Sequence, residues 1–144
     1  MTKPFQSLIG LIAIPLLVVL SGCEQGRPLT PISGQVSIDG KPLTTGFVMI
    51  RPRDYRVAMG KIGPDGRFTI MTYKDFGCVQ GEHEVTVASR KFLKGDITEF
   101  YIPKRYDDAD ASGLKIVVGK EKQDNWKIDL TWKGDSHSAP FQER

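Results

Sequence analysis

The side chains of this sequence best suited to nucleophilic or metal chemistry are two cysteines, Cys23 and Cys78, and two histidines, His83 and His137. Nucleophilic catalysis needs a nucleophile, a base and an orienting group that converge, and neither histidine is placed to serve as the base. His83 stands in the run Gly81-Glu82-His83-Glu84-Val85-Thr86-Val87, in phase with Val85 and Val87, so it is expected to point inward as a hydrogen-bonded core residue. His137 falls in a polar tail without pattern. A metal site would require further ligands at fixed spacing, which neither imidazole has. Asp107, Asp108 and Asp110 could contribute to a calcium site of roughly six to eight oxygens, but the turn glycine and bidentate glutamate of a calcium loop are missing, and the stretch reads as a solvated loop. Gly60, Gly63 and Gly66 have turn spacing and no helix after them, which excludes a phosphate-cradling loop. Cys78, between Asp75 and Gly81, reads as a small residue at a loop edge, where a lone thiol outside the cytoplasm could also pair with another chain. No catalytic residue, metal or cofactor is expected.

Cys23 stands apart because of what precedes it. An apolar run from Leu8 to Leu20, interrupted by Pro15, follows a positive start at the amino terminus and Lys3, and ends in the small residues Ser21 and Gly22. That is the anatomy of a secretory signal cut before Cys23, and the run falls short of the ~20 residues a spanning helix needs. Leu20-Ser21-Gly22-Cys23 resembles the lipobox of bacterial lipoproteins. The resemblance implies that the Cys23 thiol is alkylated with diacylglycerol, that residues 1–22 are removed, and that the new amino terminus is acylated. Three acyl chains, at ~0.8 kcal/mol per buried methylene, hold far more firmly than one. The protein is therefore expected in the cell envelope, facing the periplasm or the cell surface. Glu24 stands where an Asp can signal retention at the inner membrane, so the same resemblance favours the outer membrane.

From Cys23 onward 122 of the 144 residues remain, enough for one domain and no more. Without Lys3 the basic side chains number 19 against 17 acidic, interspersed along the chain, which excludes the basic footprint of a nucleic-acid binder. With Cys23 lipidated, no intrachain disulfide can form, and stability must come from an apolar core. Residues 23–32, with Gly26, Pro28 and Pro31, read as a lipidated Cys and a stiff tether. From Ser33 apolar residues alternate with polar ones: Val36 and Ile38, Val48 and Ile50, Phe68 and Ile70, Val85 and Val87, then Leu114, Ile116 and Val118, and finally Trp126, Ile128, Leu130 and Trp132. Period two marks half-buried strands. Asp39-Gly40 and Pro64-Asp65-Gly66 supply turns between them. No window has a capped helical period, so the expected fold is all-β: a seven-stranded antiparallel β-sandwich over residues 33–133. The polar tail, residues 134–144, is expected to be disordered.

Ser33-Gly34-x-Val36, Asp39-Gly40-Lys41-Pro42-Leu43, Asp65-Gly66-Arg67-Phe68, Thr72-Tyr73, Gly81-Glu82-His83-Glu84-Val85-Thr86-Val87, Pro103-x-x-Tyr106 and Ser112-Gly113-Leu114 together resemble small bacterial lipoproteins with a transthyretin-like, carboxypeptidase-regulatory-like domain. The resemblance covers about residues 33–132 and implies a Greek-key sandwich used as a noncatalytic surface module. The enzymatic branch of that fold, hydroxyisourate hydrolase, ends in Tyr-Arg-Gly-Ser, whereas this chain ends in Phe141-Gln142-Glu143-Arg144.

Function is expected where the strand rhythm breaks. Lys91 to Ala111 forms a connection of unusual length, and it holds aromatics that the alternation does not use. Pro103 and Tyr106 are expected to pack it down, leaving Phe92, Phe100 and Tyr101 to bind an envelope protein or a polysaccharide. The rival is an enzyme with a shallow site built from the same loop. A third possibility is self-association through Phe47 and Met49, which lie out of phase with the core positions Val48 and Ile50.

Overall fold

The computed structural model describes residues 26–135 and the backbone of Phe141–Glu143; the leader, Cys23 and His137 lie outside the described residues. The chain runs β1 (Leu29–Thr30), β2 (Ile32–Ile38), β3 (Lys41–Pro42), β4 (Phe47–Arg51), β5 (Ala58–Lys61), β6 (Arg67–Thr69), β7 (Met71–Thr72), β8 (Asp75–Phe76), β9 (Cys78–Val79), β10 (Gly81–Ala88), β11 (Arg90–Phe92) and β12 (Thr98–Phe100). After these come a 3-10 turn (Lys104–Asp107), α1 (Ala109–Ser112), β13 (Leu114–Val118), β14 (Gln123–Leu130) and β15 (Phe141–Glu143). All-β is the architecture the alternation implied.

Two sheets carry the core. The larger has the order β13-β10-β4-β5-β7-β8, and the smaller has the order β14-β2-β3 with β6 also on β2. Val48, Ile50, Val85, Val87, Ile116 and Val118 of the larger sheet join Val36, Phe68, Ile128 and Leu130 of the smaller in one buried cluster. Each such side chain contributes about 1.5–3 kcal/mol on leaving water. Asp39 and Gly40, both at positive φ, close β2 onto β3 as a two-residue hairpin. Thr86 is fully buried, and its Oγ1 has no hydrogen-bond partner among the described residues.

The strand architecture departs from the sequence expectation in five places. First, β14 pairs with β2 in parallel, not antiparallel, with Ile128 opposite Val36 and Leu130 opposite Ile38. Alternation assigns faces and carries no information on strand direction. Gly34 permits the approach, since a Cβ there would sit 2.0 Å from the Trp126 carbonyl oxygen. Second, Trp126 and Trp132 are half-buried rather than fully buried: Trp126 keeps its inward phase and packs against the core, while Trp132 lies past the end of the strand. The strand stops at Leu130, and Trp126 packs edge-on against Phe68 with ring centroids 5.7 Å apart.

Third, the segment read as tether is folded from Leu29. β1 pairs with β9, Thr30 Oγ1 donates to the Gly119 carbonyl at 2.6 Å, and Ile32 is buried. Two-residue strands have no period to read. Fourth, the connection after β10 contains one helical turn, too short to show a 3.6-residue period. The Asp108 carboxylate caps it by accepting from the Asp110 and Ala111 amides, both at 2.9 Å, and Gly113 closes it in the left-handed region. Fifth, the tail expected to be disordered returns at β15, whose backbone pairs with β12. An otherwise open strand edge is covered by this pairing.

Candidate functional site

The long connection is built as a hairpin followed by a clasp. In β11–β12, Arg90 lies opposite Phe100 and Phe92 opposite Thr98. Residues directly paired, and those two apart on one strand, share a face of a ribbon. Arg90, Phe92 and Phe100 therefore lie on one side, and Lys91 and Glu99 on the other. Phe92 is 75% exposed, and the Arg90 guanidinium lies 5.7 Å from its ring centroid. Arg90 is also paired with the Asp107 carboxylate. The Lys104 ammonium sits 4.9 Å from the ring centroid of Phe100, which is half-buried. The result is an aromatic ribbon face edged by cations.

Tyr101 departs from the expected trio. It is half-buried against the core, and its hydroxyl donates to Glu99 Oε2 at 2.9 Å, a bond that pushes its pKa up, with desolvation and the Glu99 charge adding to the effect. A loop aromatic can bind a partner or pack its own loop, and composition does not distinguish the two; here Tyr101 packs. Ile102, Pro103 and Tyr106 are buried as well. Tyr106 is the hub of the clasp. Its hydroxyl accepts from the Thr131 amide at 3.1 Å and from Arg105 Nη2 at 3.2 Å, while Arg105 Nη2 donates to the Thr131 carbonyl at 2.6 Å.

The other reactive candidates are engaged in the fold. His83 is buried, and its Nε2 donates to the Val79 carbonyl at 2.8 Å, as a satisfied core histidine would. Of the acidic cluster, Asp107 holds Arg90 and Asp108 caps α1. Cys78 is not at a loop edge. It is fully buried in β9, so it cannot pair with another chain without unfolding, and burial pushes its thiol up to about 11. The neutral thiol is thus favoured in the fold. Its stabilisation is complete below the thiol's ordinary value of 9.0 and is lost as pH rises toward about 11. Chemical denaturation is expected to show wild type losing up to ~2–3 kcal/mol more than Cys78→Ala over that window. Equal losses would place the thiol in water.

Two concavities were not legible in the sequence. An open groove of about 890 Å³ is lined by Thr45, Met59, Lys61, Arg67 and Met71 among others. A cleft of about 330 Å³ lies between Arg51, Arg53, Glu82, Glu84 and Lys115, with His83 at its wall. Phe47 and Met49 face outward as their phase implied. Cross-strand register extends Met49 into a row with Met59, Met71 and Phe76. Partners in register share a face, so the period-two phase of each strand was the available signal; strand order was not.

No family model and no curated protein matches this chain. Among solved structures, a 9R-lipoxygenase from Cyanothece PCC8801 is 19% identical, with the alignment covering 76% of this chain and 18% of that one at a TM-score of 0.37. This chain spans less than a fifth of that protein's length, and a likeness at that score carries no argument.

Proposed function

We propose that this chain is a lipid-anchored cell-envelope protein, attached through Cys23, whose transthyretin-like Greek-key sandwich serves as a noncatalytic binding or structural module. The observation that carries the reading is how the reactive side chains are used. His83 is bonded within the core, Cys78 is sealed, and Asp107 and Asp108 order the connection itself. What the fold leaves exposed is Phe92, on a ribbon face it shares with half-buried Phe100, an aromatic surface on a rigid scaffold of the kind that recognises a partner. The partner is an envelope protein or a polysaccharide.

A photo-reactive residue at position 92 of the full-length protein, in living envelopes, is expected to cross-link to a discrete partner. The same residue at position 127, on the exposed side of β14, should not. Phe92→Ser with Phe100→Ser should weaken capture by roughly tenfold or more. Unchanged capture with Cys78 still protected would remove this face from the reading. Self-association is the second reading, favoured by the row from Met49 to Phe76, and a cross-linked product of twice the protein's mass would support it instead.

A further inference from the structure

Where the chain leaves the fold toward Cys23 is visible in the structure. Thr30 crosses Gly77, whose Cβ would stand 2.3 Å from the Thr30 carbonyl oxygen, so β1 lies beside the turn between β8 and β9. A Cβ at Gly26 would stand 3.4 Å from the Tyr55 hydroxyl, and the Arg27 guanidinium lies 5.8 Å from the Tyr55 ring. The exit is therefore at the end of the sandwich formed by the β4–β5 loop, residues 52–57, and the β7–β8 turn, Tyr73-Lys74.

That end is unlike the rest of the surface. Val57, Tyr73 and Phe76 are 46%, 77% and 63% exposed. Tyr73 is held at φ 59, a conformation that a bulky side chain adopts rarely and that keeps the ring at the tip of its hairpin. The Arg56 guanidinium and the Lys74 ammonium lie 6.0 and 5.8 Å from that ring. Arg53 is exposed in the same loop. Among the described residues Arg53, Arg56 and Lys74 make no ion pair; Asp54 and Asp75 lie on this end with them, and Glu82 and Glu84 share a cleft with Arg53, Arg51 and Lys115, so cations still outnumber acids there. An exposed Tyr-Phe-Val cluster inside a ring of unpaired cations complements a surface that is apolar beneath an anionic skin. A bilayer with anionic headgroups has that profile, and tyrosine is enriched at its interface.

We propose that this end of the sandwich docks on the anionic bilayer in which the lipid at Cys23 is seated, with Tyr73 and Phe76 at the headgroup boundary and Arg53, Arg56 and Lys74 against lipid phosphates. The inference rests on the lipid-anchor reading above. Geometry supports it in two further ways. Cys23 precedes Leu29 by so few residues that even an extended chain reaches only ~20 Å, which holds the domain near the bilayer. The β11–β12 hairpin leaves the other end of β10, roughly 25 Å away along the strand. Docking at the Tyr73 end therefore points the Phe92 face away from the membrane, toward its partner. Three acyl chains already secure attachment, so the docked end determines orientation rather than affinity.

The test uses the full-length, lipid-carrying protein in vesicles of phosphatidylglycerol and phosphatidylethanolamine containing a nitroxide-labelled lipid. A fluorophore is attached at Asp75→Cys in one sample and at Lys94→Cys, on the distant hairpin, in another. Quenching at position 75 is expected to exceed that at 94 by about threefold or more. The difference should fall toward one in Arg53→Glu/Arg56→Glu/Lys74→Glu and at about 0.5 M salt, where the Debye length is only a few ångströms. Protection of Cys78 from thiol reagents reports that each variant is folded. Protein that floats with the vesicles but is quenched equally at both positions would overturn the docking and leave the anchor reading intact. So would preferential quenching unmoved by the charge reversals. Label at position 75 shielded by a second copy, with dimer rising with protein density, would assign the face to self-association instead. Protein that fails to float would overturn the anchor reading and this inference with it.

Discussion

Cys23→Ser is expected to abolish lipid attachment completely. Among the residues of Leu20-Ser21-Gly22-Cys23, the thiol is the acceptor that the lipobox resemblance requires, and a serine hydroxyl lacks the thiolate nucleophilicity that alkylation uses. Each acyl chain of some fifteen methylenes carries about 12 kcal/mol of transfer free energy at ~0.8 kcal/mol per methylene. Its loss shifts the protein from membrane-bound to free, or leaves it as an unprocessed precursor that retains residues 1–22. Metabolic labelling with a radioactive fatty acid, followed by fractionation, measures both outcomes. Label persisting on the serine variant would remove the lipoprotein reading and, with it, the orientation inferred for the Tyr73 end.

How far the sequence reached follows from what each signal encodes. Alternation at Val48 and Ile50, Val85 and Val87, and Ile116 and Val118 assigned the buried face of the larger sheet, because period two is a property of one strand alone. It left open which strands are neighbours. The parallel seam between β2 and β14 rests on Gly34, whose missing Cβ matters only once Trp126 is known to lie across from it. Asp39-Gly40 was legible as a turn because both residues adopt positive φ locally. β1, β9 and β15 were illegible because two or three residues form a strand only when a partner is present.

The site was legible in outline. The break in rhythm after β10 marked the segment that carries Phe92 and Phe100. It did not reveal that Tyr101 packs inward, since an aromatic in a loop has the same composition whether it faces core or solvent. Cys78 failed for a related reason. Its place between Asp75 and Gly81 suggested a loop edge, yet Gly77 beside it is glycine because Thr30 passes against it. The same crossing buries the thiol. The cationic end around Tyr73 was hidden because Arg53, Arg56 and Lys74 come together only through the pairing of β5 with β7.

Tyr106→Ala is expected to destabilise the protein by ~3–5 kcal/mol, the range for deleting a large buried aromatic, and to release the long connection before the rest of the fold. The ring fills the junction between the 3-10 turn and the core. Its hydroxyl takes the Thr131 amide just past the end of β14, and Arg105 reaches the Thr131 and Lys133 carbonyls and the Asp135 carboxylate from the same turn. Tyr106→Phe keeps the ring and removes a hydroxyl that accepts from the Thr131 amide and donates to the Thr131 carbonyl, which should cost about 1–2 kcal/mol because the Thr131 amide loses its partner. Chemical denaturation ranks the two variants, and hydrogen exchange locates the release. In Tyr106→Phe, protection should fall at Thr131 while the β10 amides keep theirs. In Tyr106→Ala, it should fall across residues 98–112 as well. The clasp thus couples the candidate recognition ribbon to the last core strand, which is why a substitution at the exposed Phe92 should alter capture without altering stability while one at Tyr106 alters both. A cost below about 1 kcal/mol for Tyr106→Ala would mean that the connection is held by β11, β12 and β15 alone. The Phe92 face would then be a mobile flap rather than a surface fixed to the sandwich.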